Sequence, residues 1–223
     1  MSFRTGFRAI LALFFLAFTS FSTLAQATPT VSQPGQFDFY VLSLSWSPSY
    51  CEASGDKRND PQCARPFGFV VHGLWPQFER GFPSDCGADS RLPQSLIKAQ
   101  LDIFPAPGLV VHEWRKHGTC SGLDAAAYFE AVRKAFAGIS VPTALAHIDK
   151  PQFAAPNDIA KEFMNSNKGL EANSFAVVCD RQRLQEVRIC LNKDLKTFHP
   201  CPQVVSGQCR SAKTYMPAMR GAN

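Results

Sequence analysis

The chain has 223 residues, 45% of them hydrophobic and 18% charged, with a net charge of +5 at neutral pH. That balance belongs to an ordinary globular chain of about one domain, and it excludes an intrinsically disordered or coiled-coil protein. Lysine and arginine are scattered rather than gathered into stripes, so charge alone announces no polyanionic partner.

Residues 1–27 read as a secretory signal. Arg4 and Arg8 precede an apolar run from Ala9 to Phe18, and Ala25-Gln26-Ala27 supplies the small residues needed for cleavage after Ala27. The run is interrupted at Thr19 and Ser20, short of the roughly 20 apolar residues that span a bilayer. The expected product is exported, periplasmic or extracellular, and free of the membrane. Its net charge falls to +3, because residues 1–27 carry two arginines and no acid. Residues 28–36, with two prolines and a glycine, read as a short linker, and residues 37–223 as the main domain.

Phe37–Trp46 mixes aromatic and β-branched residues in rough alternation, predicting a strand ended by Ser47-Pro48. Phe67–Leu74 predicts a second. Helical patterns follow over Pro93–Phe104, Leu109–His117 and Asp124–Phe136, the last opened by an acid and closed near Gly138. Asn157 is placed to cap a further helix through Phe163. Ser174–Asp180 and Leu184–Asn192 then predict two strands joined by a polar turn. Strands and helices mix without βαβ regularity, which predicts one α+β domain.

Two segments carry chemistry. In Phe69-Val70-Val71-His72-Gly73-Leu74-Trp75-Pro76 a histidine ends an apolar strand; alone, such a residue is more often a satisfied core histidine. The second segment is His112-Glu113-Trp114-Arg115-Lys116-His117-Gly118-Thr119-Cys120. At about 100° per residue, His112, Lys116, Glu113 and His117 fall within an arc of roughly 140°, while Val110, Trp114 and Val111 lie opposite. One face is ionisable and the other is core. A zinc protease would need its histidines four apart, whereas these are five apart, and a lysine on the same face repels a cation but attracts phosphate. Two imidazoles, a carboxylate and an ammonium without a metal or cofactor suit phosphodiester cleavage by an adjacent hydroxyl. One imidazole takes the nucleophile's proton, the other protonates the leaving oxygen, and the cation meets charge developing on phosphorus. The substrate with a built-in adjacent hydroxyl is RNA.

The eight cysteines, Cys51, Cys63, Cys86, Cys120, Cys179, Cys190, Cys201 and Cys209, form no Cys-x-x-Cys pair. Export and an even count predict four disulfides, with 105 possible pairings.

The two segments resemble, without a gap, the active-site motifs His-Gly-Leu-Trp-Pro and His-Glu-Trp-x-Lys-His-Gly-x-Cys of the ribonuclease T2 family. The similarity runs from about Phe37 through Cys120. It implies a central antiparallel sheet flanked by helices, and metal-independent cleavage of single-stranded RNA, with low base specificity, through a 2′,3′-cyclic phosphate that is then hydrolysed to a 3′-phosphate. It further implies a monomer with His117 as base, His72 as acid, Glu113 and Lys116 stabilising the phosphorane, and His112 holding the phosphate. Trp75 resembles a base-stacking residue, with Phe82 as a candidate partner. Gln77 stands where many members carry an acid, which leaves base preference open. The resemblance pairs Cys51 with Cys63, Cys86 with Cys120, Cys179 with Cys209 and Cys190 with Cys201. His147 and His199 match no motif and read as structural or solvent-facing. The chain lacks an Asn-x-Ser/Thr acceptor, which suits a bacterial periplasmic member.

Overall fold

The computed structural model describes residues 33–53, 60–87 and 91–220, together with Met1. The chain divides into Met1–Thr30 and Val31–Asn223. Apart from Met1, the expected signal segment therefore lies outside the described residues, and the fold below is that of the second unit. In chain order its elements are β1 (Phe39–Trp46), α1 (Ser47–Ala53), β2 (Phe69–Gln77), α2 (Gln94–Lys98), α3 (Pro107–Lys116), a 3₁₀ turn at Gly118–Ser121, α4 (Ala125–Ala137), α5 (Thr143–Ala146), β3 (Gln152–Ala154), α6 (Pro156–Ser166), β4 (Phe175–Asp180), β5 (Arg183–Leu191), α7 (Pro202–Val205) and β6 (Thr214–Met216).

The sheet runs β2–β1–β5, all antiparallel, with β4 pairing antiparallel to β5; β6 meets β5 in parallel at Arg183, and β3 pairs with β6. This is the α+β arrangement expected from the sequence. Alternation along β1 assigns the two faces. Tyr40, Leu42, Leu44 and Trp46 join Val71, Leu74, Val177, Val187 and Ile189 in the main core, where Val110 and Trp114 of α3 and Tyr128, Phe129 and Val132 of α4 pack against them. Phe39 and Val41 face the other way, with Ala176, Cys190 and Val204, and Trp75 packs against that smaller cluster. A buried hydrogen bond from Tyr128 Oη to Leu74 O, 2.9 Å, ties α4 to β2.

The β1–β2 ladder has one irregularity. Ser43 pairs with Gly73 and Leu44 with Val71, so His72 is the extra residue of a β-bulge. A second lies in β5, where Glu186 pairs with Val178 and Leu184 with Cys179, leaving out Gln185.

Several boundaries differ from the sequence reading. The chain does not stop at Ser47-Pro48 but turns into α1, since proline in the first helical turn forfeits no hydrogen bond. β2 continues past Leu74 to Gln77; it lies at the edge of the sheet, where Pro76 is tolerated. The helix expected over Pro93–Phe104 shrinks to α2, followed by tight turns that carry buried Phe104 into the core ahead of Pro105. α3 opens two residues early on Pro107 and closes at Lys116. Asp124 caps α4 as expected, accepting from Ala127 N at 2.9 Å. Asn157 does not cap α6, which begins at Pro156 with Ala155 as its N-cap.

All eight cysteines are paired, in the combination that the resemblance implied: Cys51–Cys63, Cys86–Cys120, Cys179–Cys209 and Cys190–Cys201. Among the described residues no helix is long and apolar enough to cross a membrane.

Candidate active site

The face of the sheet opposite the main core carries Ser43 and Ser45 on β1, Gly73 and Trp75 on β2, and Glu186 and Arg188 on β5, with the bulged His72 beside them. From α3, Glu113 reaches Trp75 on this face. The apolar side of the helix, Val110 and Trp114, is buried as the helical periodicity predicted. Glu113 is also fully buried, on the side turned to β2, and its Oε2 accepts a hydrogen bond from Trp75 Nε1 at 2.8 Å.

That approach explains the glycine of the first motif. A Cβ on Gly73 would stand 1.9 Å from Glu113 Oε2 and 2.6 Å from Trp75 Nε1. The glycine of the second motif is needed for packing, because a Cβ on Gly118 would lie 2.4 Å from Trp114 and 2.9 Å from Tyr128. Gly118 opens the 3₁₀ turn, and His117 before it leaves the helix with φ −123° and ψ −45°. His117 is thus the C-cap of α3 rather than a member of the helical arc read from the sequence.

The imidazoles of His72 and His117 both flank Trp75, with ring centroids 5.6 Å and 5.3 Å from the indole. His72 Nδ1 lies 2.8 Å from Ser45 Oγ and 3.8 Å from Glu186 Oε2, while its Nε2 lies 3.6 Å from Glu113 Oε1. Glu113 Oε1 and His117 Nδ1 are buried with no hydrogen-bond partner among the described residues. Unpaired buried polar atoms are costly and rare, and each calls for a reason.

Burial dominates the protonation of the group. It pushes the Glu113 carboxyl up to about 8, against the pull of the Trp75 hydrogen bond. It pushes His117 down to about 3, helped by the positive charges of His112, Lys116 and His72. His72 is also lowered by burial, with Glu186 opposing and His112 and Arg188 reinforcing. These shifts favour, at neutral pH, a neutral His117, able to accept a proton, next to a protonated Glu113, able to donate a hydrogen bond.

Two cavities open on either side. The larger, about 610 Å³, is lined by His72, His112, Ser45, Tyr50 and the Pro105–Leu109 segment. The smaller, about 250 Å³, is lined by His117, Trp75, Phe82, Gln77, Arg188 and Gln203. Phe82, 57% exposed, stands at the rim of the cavity that Trp75 lines. Gln77 is buried and donates its amide to Gly81 O at 2.9 Å.

Of the residues singled out from sequence, His72, Trp75, Glu113 and His117 converge. His112 is exposed and lines the larger cavity with His72. Lys116 is instead held by Asp85, Nζ to Oδ2 at 2.8 Å, while Asp85 N donates to Lys116 O at 3.0 Å. The adjacent Cys86–Cys120 bridge fastens the same loop to the helix end. His199 is structural, bonded to Glu79 and Asn192 and stacked on Phe39. Ser45, Asp85, Glu186 and Arg188 were not singled out.

A sequence model of the ribonuclease T2 family matches residues 37–201. A ribonuclease of Aeromonas hydrophila is 46% identical over 103 residues, 46% of this chain and 45% of that protein. The chain thus spans about half the length of that relative and of a probable ribonuclease of Haemophilus influenzae, of which 44% is covered at 38% identity. Ribonuclease 3 of Arabidopsis thaliana is 30% identical over 200 residues, 78% of this chain and 87% of that one. Among solved structures, RNase NT in complex with 5′-AMP is 26% identical with a TM-score of 0.64, covering 82% of this chain and 99% of that one.

Proposed function

Since the chain belongs to the ribonuclease T2 family, we propose that it is an exported endoribonuclease that cuts single-stranded RNA by transphosphorylation, with low base specificity and no metal. The observation that carries this reading is the pair of imidazoles flanking Trp75, each lining a cavity of its own. A scissile phosphate between them leaves one nucleotide for each cavity.

The nucleotide bearing the attacking 2′-hydroxyl belongs in the smaller cavity, where its base stacks on Trp75 beside Phe82. There neutral His117 removes the 2′-proton. The 2′-oxygen bonds to phosphorus, the bond to the 5′-oxygen breaks, and His72 delivers a proton to that leaving oxygen in the larger cavity. Protonated Glu113 hydrogen-bonds the oxygen on which charge develops, and Lys116, once drawn from Asp85 by the phosphate, adds its charge. His112 holds the phosphate from the side of the larger cavity. Water then opens the 2′,3′-cyclic phosphate with the two histidines in exchanged roles, leaving a 3′-phosphate. Export, through the signal segment over residues 1–27, fits the four disulfides, which persist in oxidising compartments. The mature enzyme acts as a monomer in the periplasm or outside the cell.

The test is cleavage of an RNA strand by the purified mature chain in excess chelator. RNA is expected to be cut with early cyclic-phosphate ends, and DNA of the same sequence to remain intact. A 2′-methoxy group at one nucleotide is expected to block cleavage there. Activity that vanishes with chelator and returns with a divalent ion refutes the mechanism.

A further inference from the structure

Below His72 lies a second buried carboxylate, on an element that neither motif reaches. Glu186 projects from β5 opposite Ser45 and is 2% exposed. A carboxylate so buried is costly unless its charge and lone pairs are met. Here they are: Oε1 accepts from Arg188 Nε at 3.0 Å and Nη2 at 2.5 Å, and Oε2 accepts from Ser43 Oγ. Oε2 also lies 3.8 Å from His72 Nδ1, and Ser45 Oγ stands 2.8 Å from that nitrogen. The imidazole is gripped at one edge, and its other nitrogen is turned toward Glu113.

We propose that Glu186 is a positioning residue for RNA cleavage: with Ser45 it fixes the His72 ring and supplies the counter-charge for the imidazolium that a general acid needs. The inference rests on the assignment of His72 as the acid. Such an acid must carry a proton within a partly dry site, where burial works against it. The groups facing it are Glu186 and Arg188 from β5, Ser45 from β1, and Glu113 and His112 from α3. Arg188 and His112 oppose the imidazolium by charge, and Glu113 supplies little while protonated. Glu186 remains as the anion that favours it. Arg188 serves a second purpose, since its guanidinium lies 5.3 Å from the Trp75 ring. The charge pair thus joins the support of the acid to the floor of the stacking cavity.

The test is histidine-labelled NMR titration and cleavage kinetics of the full mature chain carrying Glu186→Gln or Arg188→Gln. In E186Q the His72 midpoint is expected to fall by about one pH unit, and the basic limb of the kcat profile to move down with it. At neutral pH kcat then drops about tenfold, with KM within twofold of the parent. R188Q keeps the carboxylate and removes the opposing cation, so the midpoint is expected to rise. A scaffolding role would not shift the two midpoints in opposite directions. An unchanged His72 midpoint in folded E186Q overturns the inference; if E186Q does not fold, a midpoint in R188Q that fails to rise does so. If the midpoints move as expected but the kcat profile does not follow, the coupling exists while His72 is not the acid. That result overturns the catalytic role through the underlying mechanism, and is distinct from a failure of the coupling.

Discussion

Replacing Gly73 by alanine puts a methyl group where Glu113 already is. The added carbon stands 1.9 Å from Oε2 and 2.6 Å from both Cδ and Trp75 Nε1, against the 3.4–4 Å of ordinary contact, so the carboxylate must retreat by about 1.5 Å. Glu113 is fully buried and cannot swing into solvent. Overpacking of this kind costs about 1–3 kcal/mol, and the severed Trp75–Glu113 hydrogen bond adds a comparable amount. A total of about 3 kcal/mol lowers the melting temperature by roughly 6–12 °C in a domain of this size. Activity falls further than stability, because a shift of about 1 Å at a reacting group costs about 10²-fold in rate. Thermal melting and steady-state cleavage of a ribodinucleotide measure the two effects. The double variant Gly73→Ala/Glu113→Ala relieves the clash with the carboxylate and is expected to melt above Gly73→Ala alone. An alanine variant that melts within about 2 °C of the parent and keeps its kcat refutes the close approach of Glu113 to β2.

Three further outcomes follow from the same geometry. Because the folded Glu113 carboxyl is pushed up to about 8 from 4.5, its contribution is fully present below about pH 4.5 and is lost as pH rises toward 8. Urea unfolding of Glu113→Gln is therefore expected to gain on the parent by up to about 1.4 kcal/mol per pH unit across that window, and a pH-independent difference refutes the assignment. His72→Ala and His117→Ala are each expected to reduce RNA cleavage by about 10²–10⁴ with an unchanged circular dichroism spectrum, and a folded variant with native turnover loses its role. Replacing Cys86 and Cys120 together opens a loop with a sequence separation of 34. The loss is expected to be about 4 kcal/mol, with a drop in kcat that persists well below the melting temperature.

What the sequence disclosed about the site was residue type at fixed spacing. The helical arc correctly sent Val110 and Trp114 to the core, and Glu113 toward the site. It could not show that His117 leaves the helix, since that depends on Gly118 packing against Trp114 and Tyr128. Nor could it show that Asp85, in a left-handed conformation at φ 53°, takes hold of Lys116. Glu186 and Arg188 were silent for a different reason: charges two apart, alternating with Val187 and Ile189, are the ordinary pattern of a strand with one wet face. The burial of Glu186 is set by the neighbouring strands that pair with β5, and no local signal carries it. The β1, β4 and β5 strands were legible because their alternation is long, whereas three-residue β3 and β6 are too short to have a period.

The bulge at His72 bears on how the first motif is counted. Three positions separate His72 from Trp75, an odd number, and strict alternation would send two such side chains to opposite sides of the sheet. They meet because His72 is itself the residue that the ladder skips, so that Leu74 alone goes to the core while Gly73 and Trp75 look outward with the imidazole. The interval of three therefore records a local miscount of the strand rather than a preference for particular side chains. Were the ladder to run on from Val71 without the bulge, Leu74 would fall opposite Val41 and Trp75 opposite Tyr40, exchanging the indole for a leucine on the floor of the groove.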